Sequence, residues 1–392
     1  RLSLWREGRE RIFRGNPFDA IAQLLREQQL ENPEGLPLPC GAVGAFGYDL
    51  GQHLERLPHR AEDDLDFPDL VLGFYDTVTC TDVADGSSVR VELGTRLNRR
   101  AIDPATYGEV FGSGASTARP GGNFTRDQYL AAVARIREYI AAGDVYQVNL
   151  SQRFHARSSR PPFEIYEALR AASPAPFAAF LSFGRRSLIS ASPERFLELR
   201  DRKLVTRPIK GTRRRGATPD EEETLTRDLL TSPKDDAELA MIVDLERNDL
   251  GRVCEAGSIV VAAPKVLERH PTVHHLSATI EGKLRSGLGP VDVLRATFPG
   301  GSITGAPKIR AMEIIDELEP TRRAFYTGAI GALGFDGSMN LSIAIRTVLA
   351  DGADYYFQAG GGIVADSDPA AEYDETLAKA AAMVRALGVE RT

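Results

Sequence analysis

From Asn123 almost to the C-terminus the chain alternates apolar stripes of helical period with short runs of strand period. This commits it to helices packed on extensive sheet, an α/β or α+β architecture. The alternation follows a Gly-, Ser- and Pro-rich stretch, Gly112–Gly122, which reads as a linker or long surface loop. Before it lie strand-like pieces such as Leu70–Thr79 and Ser88–Leu93. The expected organisation is an N-terminal region over 1–111, the linker over 112–122 and a main region over 123–388. Just past the linker, Thr125 and Gln128 form a capping box, Leu130, Val133, Ile136 and Ile140 one apolar stripe, and Gly143 a stop. Val145–Phe154 then alternates with period two. Tyr146, Val148, Leu150 and Phe154 share one face; Gln147, Asn149, Ser151 and Arg153 share the other. That polar face is expected to meet solvent, the alternative being that it lines a pocket. Further helices are predicted over 235–248, 307–318 and 372–387, and strands over 187–190, 259–262, 326–333, 341–349 and 355–358.

A chain of 392 residues with 42% hydrophobic content can bury a large core. Its net charge of −7 argues against nucleic acid as a main partner. Cys40, Cys80 and Cys254 are far apart and form no CxxC pair. They supply neither a disulfide framework nor a cysteine zinc site, and suit a reducing cytoplasm. No apolar run of membrane-spanning length and no secretory leader is read, so a cytoplasmic location is expected.

Several segments carry residue types that do chemistry, and each also has a plain structural reading. In Arg207–Gly216 (RPIKGTRRRG) one lysine, Lys210, sits among four arginines. It belongs either to a solvated basic loop or to a site where cationic neighbours and desolvation make its amine nucleophilic. Glu194, in Ser192-Pro193-Glu194-Arg195, follows an apolar strand. It is either a surface carboxylate in a turn or a general acid with a raised pKa. Glu238 shares a helix face with Ile242 and Leu245, so it needs a partner, either Arg247 or Arg252 or a cation. Gly360, Gly361 and Gly362, placed after a strand, allow a ligand close to the backbone. Beyond them Glu375 and Lys379 are spaced i, i+4, as in a solvated helix pair. Glu238 and Glu375 on separate helices would also suit Mg²⁺, which takes one or two carboxylates with substrate and water.

Phe298–Lys308 looks like a phosphate loop but lacks the G-K-[ST] ending; Pro307 fits a first helical turn. His270, His274 and His275 lie close in sequence without a zinc pattern around them, and Asp220–Glu223 reads as a solvated helix start.

Together these segments resemble the chorismate-utilising enzymes, which include the large subunit of anthranilate synthase and the synthase subunit of aminodeoxychorismate synthase. The resemblance spans about residues 41–385. It is carried by Gly44–Leu50 (GAFGYDL), Asp144–Leu150 (DVYQVNL), Ser192–Phe196 (SPERF), the loop over 300–308, Tyr326–Gly331 (YTGAIG), Ile345–Thr347 and Gly360–Asp368 (GGGIVADSD). It implies a body of two packed sheets with helices outside.

Pro208-Ile209-Lys210-Gly211-Thr212 is the discriminating motif: its middle residue is alanine in the anthranilate branch and lysine in the aminodeoxychorismate branch. By resemblance Lys210 is the nucleophile and Glu194 the acid, and Glu238 and Glu375 hold Mg²⁺. Gly360, Gly361 and Gly362 would meet the ring carboxylate, and Tyr326 and Arg346 the enolpyruvyl carboxylate, Arg346 through its planar fork. Gly211, Thr212, His275 and Lys379 would complete the chorismate pocket. No glutaminase G-x-C-x-G elbow is found, since Cys254 lies in Arg252–Ala256 (RVCEA). Ammonia is therefore expected from solution or from a glutamine amidotransferase subunit.

Overall fold

Strands drawn from the whole length of the chain assemble into two large sheets in the computed structural model, which describes residues 2–6, 9–32, 35–93 and 119–389. One sheet has seven strands and is antiparallel. Its centre is Gln147–Arg157 paired with Asp354–Ile363, followed by Thr347–Asp351, Arg186–Ser192 and Phe177–Phe183. The other has nine strands. It runs from Ile209–Arg214 through Val273–Lys283, Lys203–Arg207, Arg195–Arg200, Met339–Ile343 and Ala329–Gly334 to Gly41–Phe46 and Leu70–Tyr75. Gly41–Phe46, from the N-terminal region, is thus hydrogen-bonded to Ala329–Gly334 from the main region. Most of the expected linker, 112–118, lies outside the described residues. Its end, Gly121–Gly122, is a short strand against His155 and Phe154 rather than a free loop.

The described helices are α1 (Pro17–Arg26), α2 (Arg126–Ala141), α3 (Pro162–Ala172), α4 (Pro219–Thr231), α5 (Pro233–Gly251), α6 (Pro290–Thr297), α7 (Lys308–Leu318) and α8 (Pro369–Leu387). At α2 the capping box forms as expected: Gln128 N–H donates to Thr125 Oγ1 at 3.2 Å, and Thr125 N–H to Gln128 Oε1 at 2.9 Å. α3 and α8 bury Ile165, Leu169, Met383 and Val384 against Phe154, Ala156 and Phe357 of the seven-stranded sheet. Between the sheets, Leu188 and Leu349 of one pack with Ala45 and Ile330 of the other around Phe325.

Three strand expectations change. The run 341–349 is two strands, Met339–Ile343 and Thr347–Asp351, broken where the chain crosses from one sheet to the other at 344–346. Tyr326 lies in a turn before the strand Ala329–Gly334. The polar face of Gln147–Arg157 does not meet solvent: Gln147, Asn149, Ser151 and Arg153 are all buried, while Tyr146, placed with the apolar face, is 72% exposed. Two members of the buried polar row meet polar groups from outside their own sheet: Ser151 donates to Glu319 and Arg153 to Asp64.

The largest fully buried side chain beside them is Arg323, 1% exposed. It grips Glu319 with two bonds (2.8 and 2.6 Å) and donates to Asn149 O (2.7 Å), Ile303 O (3.0 Å) and Thr327 Oγ1 (3.2 Å). Glu319 Oε1 also accepts from Ser151 N–H and Oγ at 2.8 and 2.9 Å. This one ion pair ties the seven-stranded sheet to the turn carrying Tyr326 and to the loop over 300–303.

Candidate active site

Most of Arg207–Gly216 is strand rather than loop. Lys210 lies on Ile209–Arg214, an edge strand of the nine-stranded sheet, opposite Leu276. A bulge follows between Lys210 and Thr212, where Gly211 takes φ +70° and a Cβ would stand 2.9 Å from Asp235 Oδ1, so glycine is required there. The neighbouring arginines turn away. Arg213 pairs with Asp228 and Asp235, Arg214 with Glu221 and Arg215 with Glu222. The cationic neighbours expected to depress the Lys210 pKa are therefore neutralised elsewhere. The pKa is lowered even so, first by burial; Glu238 and Glu194 oppose the shift and Lys379 adds to it.

Lys210 Nζ donates to Ser302 O at 3.5 Å, and Ser302 Oγ donates to Glu194 Oε1 at 2.5 Å. Glu194 is 5% exposed, so the surface-carboxylate alternative is excluded. Burial raises its pKa against the pull of the Ser302 bond and of Lys210. A nucleophile candidate and an acid candidate thus meet through one residue of the glycine loop. Lys308, which made that loop resemble a phosphate site, pairs instead with Asp249 and donates to Thr297 O at 2.8 Å. Pro307 caps α7 rather than opening it.

Gly360–Gly362 lie within the strand Asp354–Ile363, not after it. A Cβ on Gly360 would stand 2.4 Å from Leu150 O, and one on Gly362 would stand 2.7 Å from Gln147 Nε2. A Cβ on Gly361 would meet Glu372 Oε2 at 3.0 Å and Glu375 Oε1 and Lys379 Nζ at 3.8 Å each. Lys379 Nζ donates to Gly360 O at 2.8 Å and pairs with Glu375 at 2.6 Å. At Glu375 burial pushes the pKa up, but Lys379, with Lys234 and Lys210, outweighs it and the carboxyl ends below its usual range. Glu238, on α5, pairs with neither Arg247 nor Arg252. Lys234 Nζ is 3.9 Å away, Arg247 holds Asp244, and Arg252 donates to Ala296 O. Burial raises the Glu238 pKa, and Asp235 and Glu375 raise it further.

Glu238, faced by Lys210 and Lys234, and half-exposed Glu375, paired with Lys379, raise the cost of each other's charge, and two such oxygen donors fit a hard divalent ion that also takes substrate and water. Among the described residues no cluster of three metal-binding side chains is preassembled.

On the other side of the site Thr212 Oγ1 and His275 Nδ1 are 2.9 Å apart. His275 Nε2 has no partner, and burial drives its pKa down to about 3, with Arg346 contributing, so the imidazole is neutral. His270 and His274 pair separately with Glu268 and Glu222. Arg346 takes φ +49° at the crossover and donates to Ser173 Oγ at 3.3 Å. Tyr326 is 5% exposed, and its turn is bonded to the same crossover: Thr327 N–H donates to Ala344 O at 2.8 Å. The structure therefore groups Lys210, Glu194, Glu238, Glu375 and Lys379, ties the turn of Tyr326 to the crossover that carries Arg346, and joins Thr212 to His275.

Sequence reasoning missed four residues of this site. Gln147 is fully buried with neither amide atom partnered, and Asn149 Oδ1 likewise has no partner. Both stood on the polar strand face, which was the available signal. Ser302 sat unmarked inside the glycine loop. Glu372 lies one turn before Glu375, where its carboxyl accepts from Ser367 Oγ at 2.6 Å.

The chain matches the family of chorismate binding enzymes over residues 3–385. It is 46% identical over 367 residues to aminodeoxychorismate synthase component 1 of Klebsiella aerogenes, covering 93% of this chain and 81% of the relative. It is 40% identical over 392 residues to anthranilate synthase component 1 of Cereibacter sphaeroides, covering 95% and 78%. The crystal structure of anthranilate synthase component I from Streptococcus pneumoniae superposes with a TM-score of 0.84 at 32% identity, covering 98% of this chain and 89% of that one. No helix among the described residues is long and apolar enough to cross a membrane. The expected two-sheet body is the observed one, the family match extends to residue 3 where the motifs began near 41, and the chain belongs to the chorismate binding enzyme family.

Proposed function

We propose that the chain aminates chorismate at C4 to give 4-amino-4-deoxychorismate, the precursor of p-aminobenzoate in folate synthesis. The ammonia would come from solution or from a glutamine amidotransferase partner. The observation that carries the reading is the placement of Lys210, a buried amine two contacts from a buried acid. Burial shifts the amine toward its uncharged form and the carboxyl toward its protonated form, the states that attack and proton donation require.

The Lys210 Nζ lone pair attacks ring C2, both ring double bonds shift by one position, and the C4–O bond breaks as Glu194 gives its proton to the hydroxyl, which leaves as water. Ammonia then forms the new bond at C4, the double bonds return, and the C2–N bond to Lys210 breaks. The proton lost by the incoming nitrogen restores Glu194. Glu238 and Glu375 would hold Mg²⁺, which supplies positive charge toward the ring carboxylate. The backbone of Gly360–Gly362 accepts close approach by that carboxylate, and Lys379 stands beside it. Arg346 offers its fork and Tyr326 its hydroxyl to the enolpyruvyl carboxylate, with Gly211, Thr212 and neutral His275 closing the pocket.

The test is product identification by mass spectrometry after incubation with chorismate, Mg²⁺ and ammonium. The expected product is a non-aromatic amino acid that a lyase converts to p-aminobenzoate. Direct release of anthranilate and pyruvate would place the chain in the other branch. Glu238→Gln is expected to weaken the Mg²⁺ dependence in a metal titration.

A further inference from the structure

The arginine assigned to the enolpyruvyl carboxylate is a long side chain on a fixed backbone. Arg346 sits where the chain crosses between the sheets, at φ +49°, in the left-handed region that strains a residue bearing a side chain. Hydrogen bonds pin the crossover along its length. Ala191 N–H donates to Arg346 O at 3.1 Å, Ala344 N–H to Gly328 O at 2.9 Å and Thr347 Oγ1 to Ile345 O at 3.0 Å. The backbone is therefore placed, and the torsions of the side chain decide where the guanidinium points.

A single hydroxyl tethers that head. Arg346 Nη1 donates to Ser173 Oγ at 3.3 Å, and Arg346 enters no ion pair among the described residues. Ser173 is 4% exposed and closes α3: its N–H donates to Leu169 O at 2.8 Å, and Pro174 follows. α3 is packed on the seven-stranded sheet through Ile165 and Leu169, so the acceptor stands on a rigid element. It is also neutral. A carboxylate in its place would tether the arginine more strongly, but it would take the planar fork bidentately and cancel its charge. A hydroxyl accepts one N–H and leaves the other donors, with the charge, to a ligand. A guanidinium buried without an acid is costly unless an anion completes the site.

We propose that Ser173 is a positioning residue for substrate binding: it aims the Arg346 fork at the enolpyruvyl carboxylate of chorismate without neutralising it. This rests on the reading of Arg346 as the partner of that carboxylate. The carboxylate keeps its charge while bonds change at C2 and C4. Its binding is therefore equal in ground state and transition state, and Ser173 sets KM rather than kcat.

The test is KM for chorismate and kcat, at saturating Mg²⁺ and ammonium, for Ser173→Ala, Ser173→Thr and Ser173→Asp. Ser173→Ala is expected to raise KM roughly fivefold or more while kcat moves by less than about twofold. Ser173→Thr keeps the acceptor and should restore the parent KM. Ser173→Asp should raise KM further than Ser173→Ala, because the new carboxylate occupies the fork; the other two variants decide the question even where this one does not fold. A KM unmoved in Ser173→Ala, or raised equally in Ser173→Thr, overturns the inference. A double-mutant cycle with Arg346→Met separates positioning from packing. If Ser173 acts through the arginine, Ser173→Ala adds no further rise in KM on that background, whereas a full multiplicative rise overturns the proposal. Arg346→Met alone tests the underlying reading. An unchanged KM there removes the arginine from carboxylate binding; a raised KM there beside an unmoved Ser173→Ala removes only Ser173.

Discussion

Two buried ionic regions lie within the same pair of sheets, and their hydrogen bonding differs. Around Arg323 and Glu319 each charged group has several partners, reaching Asn149, Ser151, Ile303 and Thr327. Around Lys210 and Glu194 the polar complement is unfinished: Gln147, Asn149 Oδ1 and His275 Nε2 are buried without partners, and Glu238 and Glu375 repel one another. A satisfied buried ion pair holds parts in place, whereas an unsatisfied set is tolerated when a ligand completes it. The two regions share a strand. Asn149 offers its backbone carbonyl to Arg323 while its side-chain oxygen is left open, so the complete region positions the incomplete one.

The contrast predicts opposite responses to substitution. Lys210→Ala should lower amination on the order of 10³-fold, as when a group needed in the transition state is removed. Its melting temperature should hold or rise, since a buried amine is lost. High free ammonia is expected to restore part of the rate. Initial rates and thermal melts check both, and an unchanged rate removes the nucleophile role. Arg323→Met should do the reverse in kind, costing about 3–5 kcal/mol in urea titration because Glu319 is stranded as a buried charge. A loss below about 1 kcal/mol would show that the pair is not the clamp described above.

Asp49 offers an intermediate case. It is 7% exposed and accepts from Ala324 N–H at 2.8 Å. Burial, then Asp69, raise its pKa from 3.8 to about 7. A raised folded-state value means that stability is present below the unfolded pKa and is lost as pH rises through 7. Asp49→Asn should therefore gain stability relative to the parent chain between about pH 4 and 7; a melting difference that stays flat across that range would contradict the assignment. The smallest effect belongs outside both regions: Thr125→Ala should cost about 1 kcal/mol through the lost cap of α2, with activity unchanged.

What could be read in advance tracks how local the governing physics is. The α2 cap was legible because Thr125 and Gln128 satisfy backbone groups within one turn. The strand after it was legible in period but not in orientation: whether Gln147 and Asn149 face water or a pocket depends on segments far along the chain, such as Gly362 beside Gln147 and Arg323 at Asn149 O. The continuous run 341–349 concealed a crossover, because apolar residues bury equally well on either side of it. Lys210 was noticed for its arginine neighbours, yet these are paired with acids of α4 and α5 and with Glu268, and burial lowers its pKa.

By itself the sequence determined the local elements, the mixed helix-and-sheet class and, through its motifs, the membership of a chorismate-binding family, because caps, periods and motif residues act over a few positions. Only the tertiary structure decided which polar groups are satisfied and which are left open. Hydrogen-bond partners and desolvation are set by segments that meet from far apart in the chain, as Glu194 meets Ser302 and as Arg323 meets Asn149.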